Sequence, residues 1–65
     1  MRIVVNQIEQ QLPDNGTILD ALNLIEAKPP YAVAVNLQFV PKTKHAEHLL
    51  CDGDQVEVIA PVTGG

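Results

Sequence analysis

The sequence predicts an α+β domain in which one main helix packs on one face of a mixed sheet of four to five strands. The chain has 65 residues, enough for one domain whose core holds one helix and one sheet. Only one segment has helical periodicity, whereas several short segments are rich in β-branched residues and bounded by turn residues. Together, length and pattern favour a single-helix fold.

The first strand is predicted over residues 1–6, where β-branched residues place Ile3 and Val5 on one face. Residues 7–12 are mostly polar and predict a turn followed by a short second strand. Residues 13–16 form a strong turn cluster. The chain therefore opens with two strands and then turns toward a helix.

The helix is predicted to begin at Thr17, because Thr17 and Asp20 fit the capping-box pattern. Pro29-Pro30 is expected to end it, since proline disfavours helical geometry in the preceding residue and lacks an N–H donor. One apolar stripe follows the spacing of three and four residues. Its members are Ile18, Ala21, Leu22 and Ile25.

The second half of the chain predicts three more strands. Pro41 is expected to stop the short strand or to mark it as an edge. Residues 42–50 predict a loop with room for one helical turn, and residues 51–54 a further turn. The strands are predicted over residues 32–36, 39–40 and 55–60, with a turn over 36–38.

This order of elements is typical of a β-grasp, and it predicts a domain over residues 1–61 with a C-terminal tail over residues 62–65. One helix covers only one face of the sheet. Val4, Phe39 and Ile59 are candidates for the uncovered face. An exposed apolar patch often marks a binding surface, but scattered apolar surface residues are also normal. Both interpretations stay open on the sequence.

Composition argues against several classes of function. The net charge is −4 and the aromatic residues are one Tyr and one Phe, so the basic, aromatic surface of a nucleic-acid binder is missing. The acidity indicates solubility more strongly than a particular partner. No apolar run is long enough for a membrane span. A single cysteine and the absence of a signal-peptide pattern favour the cytoplasm.

Five other residues are candidates for chemistry, and each has a simpler structural interpretation. Cys51 is expected to be a small buried hydrophobe rather than a redox or relay thiol. His45 and His48 supply too few ligands for zinc, so no metal site is predicted. Asp52 and Asp54 are expected to form a turn that caps the last strand.

The strongest chemical signal is Gly64-Gly65, a few residues beyond the last predicted strand. A carboxylate becomes a good electrophile when ATP converts it to an acyl-adenylate. Residues without side chains can thread a narrow active site on another protein, and glycine accepts backbone angles that other residues avoid. A sulfur nucleophile can then displace AMP and leave a thiocarboxylate. The pair therefore suggests a reactive tail.

The chain resembles the ThiS sulfur carriers of thiamine biosynthesis over nearly its whole length. The resemblance lies in residues 3–6, 17–22, 33–36, 40–42 and 52–58, and in Gly64-Gly65. The family often has Gly where Gln7 stands and usually has Arg where Lys42 stands. Lysine cannot make the bidentate contacts of arginine, so the resemblance assigns Lys42 no role.

The resemblance implies a ubiquitin-like β-grasp fold and a role as a protein cosubstrate rather than an enzyme. Gly65 would carry the adenylate and then the thiocarboxylate, and Gly64, Thr63 and Val62 would contact partners. The implied partners are a ThiF-type adenylyltransferase, a ThiG-type thiazole synthase and a cysteine-persulfide sulfur donor. ATP would be used by the activating enzyme, with no cofactor bound to the carrier, which we expect to be a monomer when free.

Three other functions stay open on the sequence. The tail also resembles that of the MoaD carriers of molybdopterin synthesis, although those tend to be longer. A β-grasp interaction module with an inert tail would bind by its open face or by strand addition. Conjugation to lysines in the manner of ubiquitin is a weaker option. The run from Val33 to Lys42 favours ThiS over MoaD.

Overall fold

The computed structural model describes residues 1–60 and has the predicted α+β architecture. One α-helix and a five-stranded mixed sheet form the domain, with a short 3₁₀ helix over Lys42–Lys44. The elements are β1 (Arg2–Val5), β2 (Ile8–Gln11), α1 (Ile18–Leu24), β3 (Ala32–Val35), β4 (Gln38–Val40) and β5 (Gln55–Ile59). Each predicted strand is confirmed, with ends shifted by a residue or two.

The strand order is β2-β1-β5-β3-β4, so the last strand of the chain lies in the middle of the sheet. β1 and β5 pair parallel, whereas the other neighbouring pairs are antiparallel. β4 is an edge strand that ends at Val40, directly before Pro41, as predicted. β5 therefore has β1 on one side and β3 on the other, although β1 pairs only with its first two residues, Gln55 and Val56.

Both hairpins close through two-residue turns with left-handed backbone at both positions. The φ angles are 49° at Asn6 and 69° at Gln7, and 51° at Asn36 and 71° at Leu37. Such turns match the right-handed twist of the flanking strands. Each begins with asparagine, which tolerates this conformation better than most residues.

The core is aliphatic and lies between α1 and one face of the sheet. Ile3 and Val5 from β1 and Val56 from β5 are at most 2% exposed. Ile18, Ala21 and Leu22 fill the helix side, while Ile25 is only partly buried. Full burial of such a side chain contributes about 1.5–3 kcal/mol. The predicted apolar stripe is therefore confirmed at three of its four positions.

The start of α1 is confirmed at Thr17. The Thr17 hydroxyl accepts the Asp20 N–H at 3.2 Å, and the Asp20 carboxylate accepts the Thr17 N–H at 2.9 Å. The next free donors are taken up by the loop after the 3₁₀ helix. The Ile18 N–H reaches the carbonyl of His48 at 3.1 Å, and the Leu19 N–H reaches that of His45 at 3.0 Å.

The expectation that Pro29-Pro30 ends the helix was wrong, because α1 already ends at Leu24. Glu26 is left-handed, with φ 55°, and its N–H donates to Asn23 O at 3.1 Å. The Ala27 N–H donates to Leu22 O at 3.0 Å. These two bonds form a Schellman motif, which satisfies the last carbonyls and stops the helix before the prolines.

Candidate functional site

The predicted reactive tail lies outside the residues that the structure describes. This applies to Gly65 and to the predicted partner-binding residues Gly64, Thr63 and Val62, so their roles and the domain boundary stay predictions. The structure does describe the strand from which they continue. β5 ends at Ile59, in the middle of the sheet, six residues before Gly65.

The turn before β5 is built from the two aspartates, as predicted. Asp52 Oδ1 accepts the Arg2 N–H at 2.7 Å, and Asp54 Oδ2 accepts the Cys51 N–H at 2.8 Å. Gly53 lies between them with φ 88°, a left-handed conformation that suits glycine. The Asp52 carboxylate therefore joins the turn to the start of β1, and the Asp54 carboxylate closes the turn itself.

Two asparagine side chains, one after β1 and one after β3, form hydrogen bonds with β5. At the start of the strand, Asn36 Oδ1 accepts the Gln55 N–H at 3.0 Å, and Asn36 Nδ2 donates to Asp54 Oδ1 at 3.0 Å. Near its end, Asn6 Oδ1 accepts the Val58 N–H at 2.8 Å, and Asn6 Nδ2 donates to Val58 O at 3.2 Å. Neither contact was predicted from the sequence. The available signal was an asparagine opening a tight turn between two strands.

The sheet face opposite the helix carries the predicted apolar side chains. Phe39 is 69% exposed and Ile59 is 56% exposed, while Val4 is partly buried. Ala34 lies opposite Phe39 and Ala32 opposite Ile59 in the strand register. These small alanines separate the two large side chains, so the face is shallow here, and polar residues of β5 interrupt it, with Glu57 opposite Ala34 and Gln55 opposite Val4. We call Val4, Ala32, Ala34, Phe39 and Ile59 the open face.

The histidines have separate environments. His45 is 4% exposed, with Nε2 3.0 Å from Val40 O, and its ring stacks on Tyr31 at a centroid distance of 6.2 Å. His48 is partly buried, and its carbonyl accepts the Ile18 N–H at the start of the helix. Within residues 1–60, no group of three or more His, Cys, Asp or Glu could hold a metal ion.

Cys51 is exposed, so the expectation of a buried hydrophobe was wrong. The preceding residue, Leu50, takes the core position and is 3% exposed. Cys51 instead begins the turn to β5, where its N–H is held by Asp54. Its thiol lines an open groove of about 580 Å³ beside β4, together with Phe39 and Leu49.

A model of the ThiS family matches residues 1–65, the full length of the chain. The chain belongs to the ThiS family. The sulfur carrier protein ThiS of Escherichia coli K12 is 30% identical over 66 residues, covering all of both chains. The crystal structure of a thiamine biosynthesis protein, ThiS, from Geobacter metallireducens superposes with a TM-score of 0.81 at 19% identity, again over both full lengths.

These comparisons confirm two predictions. The family is the one that the sequence resembles, and the fold is the ubiquitin-like β-grasp that the resemblance implies. Within the described residues, no helix is long and apolar enough to cross a membrane.

Proposed function

We propose that this chain is a sulfur carrier of thiamine biosynthesis, which carries sulfur as a thiocarboxylate on Gly65. The observation that supports the proposal best is the ThiS family match, which extends through the Gly64-Gly65 pair. A carrier is a cosubstrate, so the chemistry is done on it rather than by it. The side chains of the described residues fit that role, because Asp52, Asp54 and His45 are all used structurally.

The first step would activate the terminal carboxylate. Its oxygen attacks the α-phosphorus of ATP, the bond to pyrophosphate breaks, and an acyl-adenylate forms on Gly65. A ThiF-type adenylyltransferase would supply this active site. Two glycines suit the entry, because they present no side chain to a narrow channel.

The second step would bring in sulfur from a cysteine persulfide. Its terminal sulfur attacks the carbonyl carbon of Gly65, AMP leaves with the former carboxylate oxygen, and an acyl disulfide forms. A second thiol then attacks the donor cysteine sulfur and breaks the S–S bond. The thiocarboxylate is released on Gly65, and the thiol and donor cysteine end as a disulfide.

The third step would deliver the sulfur to a ThiG-type thiazole synthase for ring formation. Thiocarboxylate sulfur is a better nucleophile than carboxylate oxygen, which suits transfer to an electrophilic carbon. The open face is our candidate docking surface for these partners, since Phe39 and Ile59 present exposed apolar area on a rigid sheet. Because β5 carries both Ile59 and the tail, docking there would also bring Gly65 toward the partner.

Deletion of Gly65 tests the proposal. Purified protein is incubated with ATP, a ThiF-type enzyme and a persulfide donor, and its intact mass is measured. We expect replacement of one oxygen by sulfur in the wild type and in the control Thr43→Ala, an exposed threonine outside the predicted tail, but not in the deletion variant. Modification of the deletion variant to the wild-type extent would contradict the proposal.

The same experiment separates the alternative functions. An inert interaction module would keep its mass unchanged and would still bind a partner without Gly64-Gly65. A MoaD-like carrier would be converted to the thiocarboxylate but would pass sulfur to a molybdopterin synthase subunit rather than to a thiazole synthase. We expect transfer to the thiazole synthase, in keeping with the ThiS family match.

A further inference from the structure

The side chain of Asn6 lies beside the second half of β5, where β1 no longer pairs with that strand. β1 pairs with β5 at only two positions, Val4 with Gln55 and Val5 with Val56. At Asn6 the backbone turns into the left-handed region, and β1 ends. On the other side of β5, β3 continues its pairing as far as Ile59. Beyond Val56, β5 therefore has a backbone strand on one side only.

The Asn6 amide takes the place of the missing peptide group. It accepts the Val58 N–H at 2.8 Å and donates to the Val58 carbonyl at 3.2 Å. A primary amide has the same donor and acceptor as a peptide bond, so both polar groups that Val58 presents to this side are satisfied. The side chain thus extends the parallel β1–β5 pairing by one more position.

We propose that Asn6 is a positioning residue for sulfur loading, which holds the end of β5 so that Gly65 reaches the partner from a fixed point. This inference rests on the proposed carrier function. With the Asn6 contact, the last position of β5 that is held from both sides is Val58, seven residues before Gly65. Without it, that position is Val56, nine residues before Gly65.

The expected effect is on recognition rather than on the chemical step. Asn6 lies 59 positions before Gly65, and within residues 1–60 its side-chain hydrogen bonds go to Val58. Losing its two exposed hydrogen bonds would lower the fraction of molecules with β5 formed to its end. The apparent affinity of a partner that requires this end falls by the same fraction. Hydrogen bonds of this kind correspond to a change of about twofold to tenfold.

Asn36 provides a matched control in the same chain. It also opens a two-residue turn, has φ 51° where Asn6 has 49°, and uses its amide to hold β5. Its contacts lie at Gln55 and Asp54, at the start of the strand. Glycine adopts these angles easily, so Asn6→Gly and Asn36→Gly remove the amide while preserving each turn.

The test compares sulfur loading of the wild type, Asn6→Gly and Asn36→Gly by a ThiF-type enzyme with ATP and a persulfide donor. For Asn6→Gly we expect KM for the carrier to rise about twofold to tenfold with kcat unchanged, and hydrogen-exchange protection of the Val58 amide to fall. For Asn36→Gly we expect KM within about twofold of wild type. This should hold even if its thermal unfolding midpoint falls as much as that of Asn6→Gly. Asn6→Asp keeps the hydrogen-bond acceptor and loses the donor, so its KM should lie between those of the wild type and Asn6→Gly.

Two results would overturn the inference, and a third would overturn the proposed function on which it rests. Equal KM for Asn6→Gly and wild type, with Val58 protection lost, overturns the positioning role alone. Equal increases of KM in both glycine variants would show that stability, not position, sets KM, and would also overturn it. If Asn6→Gly does not fold, Asn6→Asp replaces it. A KM for Asn6→Asp above that of the wild type then supports the inference, and an equal KM overturns it. A wild-type protein that stays unmodified, with an enzyme active on a known carrier, overturns the proposed function itself.

Discussion

The two faces of the sheet are built from similar apolar residues but end in opposite environments. On the helix side, Ile3 is fully buried and Val56 is 1% exposed. On the open face, Ile59 is 56% exposed and Phe39 69%. Burial of the first set stabilises the fold. The second set stays exposed to water in the free protein, so its burial can contribute only to the free energy of binding. The comparison suggests that stability and recognition can be changed separately in this protein.

The largest expected effect comes from the same substitution made on each face. Ile3→Ala should lower the free energy of unfolding by about 2–5 kcal/mol, because it leaves a cavity in the core. A domain this small has about 3–5 kcal/mol in total, so much of the variant should be unfolded. Ile59→Ala should cost under about 1 kcal/mol. Urea unfolding followed by circular dichroism measures both, and equal losses would contradict the division between the faces.

Phe39→Ala should weaken partner binding while leaving stability nearly unchanged. Removing an exposed aromatic side chain from the open face should change the free energy of unfolding by under about 1 kcal/mol. It should weaken binding to a ThiF-type partner by about tenfold, as expected for an aromatic residue central to an interface. Calorimetric titration measures the affinity, with exposed Leu24→Ala on the helix side as the control. Unchanged affinity for Phe39→Ala would remove the open face as the docking surface.

Thr17→Ala should have a smaller effect, confined to stability. It removes the hydroxyl that accepts the Asp20 N–H and so exposes a free donor at the helix start. Loss of such a cap costs about 1 kcal/mol. Thr43→Ala, an exposed threonine in the 3₁₀ helix, is the matched control. A thermal unfolding midpoint lowered equally in both variants would argue against the capping role.

Cys51→Ser should have the smallest effect. The side chain is exposed, and the hydrogen bonds to Asp54 come from the Cys51 backbone N–H and carbonyl, so stability should change by under about 0.5 kcal/mol. Sulfur loading should proceed at the wild-type rate, measured by intact mass over time. A large loss of loading, with stability unchanged, would mean that the exposed thiol takes part in the transfer.

The predictable parts of this fold are those whose signals are local. Thr17 and Asp20 are three residues apart and predict the helix start, and alternation along β1 and β5 places Ile3 and Val56 inside. The helix end was not predictable, because the Schellman motif places Glu26 in the left-handed region where a glycine would have been the signal.

The other misses depend on contacts between distant parts of the chain. Leu50 and Cys51 are both apolar enough for the core, and only the packing of the 41–50 loop decides that Leu50 enters it. The Asn6 contact joins residues 52 positions apart, which needs the β1–β5 pairing to be known first. Alternation was enough to predict Val4, Phe39 and Ile59 on the open face, whereas the role of Gly64-Gly65 stays a prediction from the motif.

The most direct test of the carrier function locates the sulfur in the loaded protein. After incubation with ATP, a ThiF-type enzyme and a persulfide donor, fragmentation of the intact protein in the mass spectrometer assigns the added mass to a residue. We expect that one sulfur replaces one oxygen and that only fragments containing Gly65 carry it. Sulfur on fragments containing Cys51 and not Gly65, or an unmodified protein with an active enzyme, would contradict it.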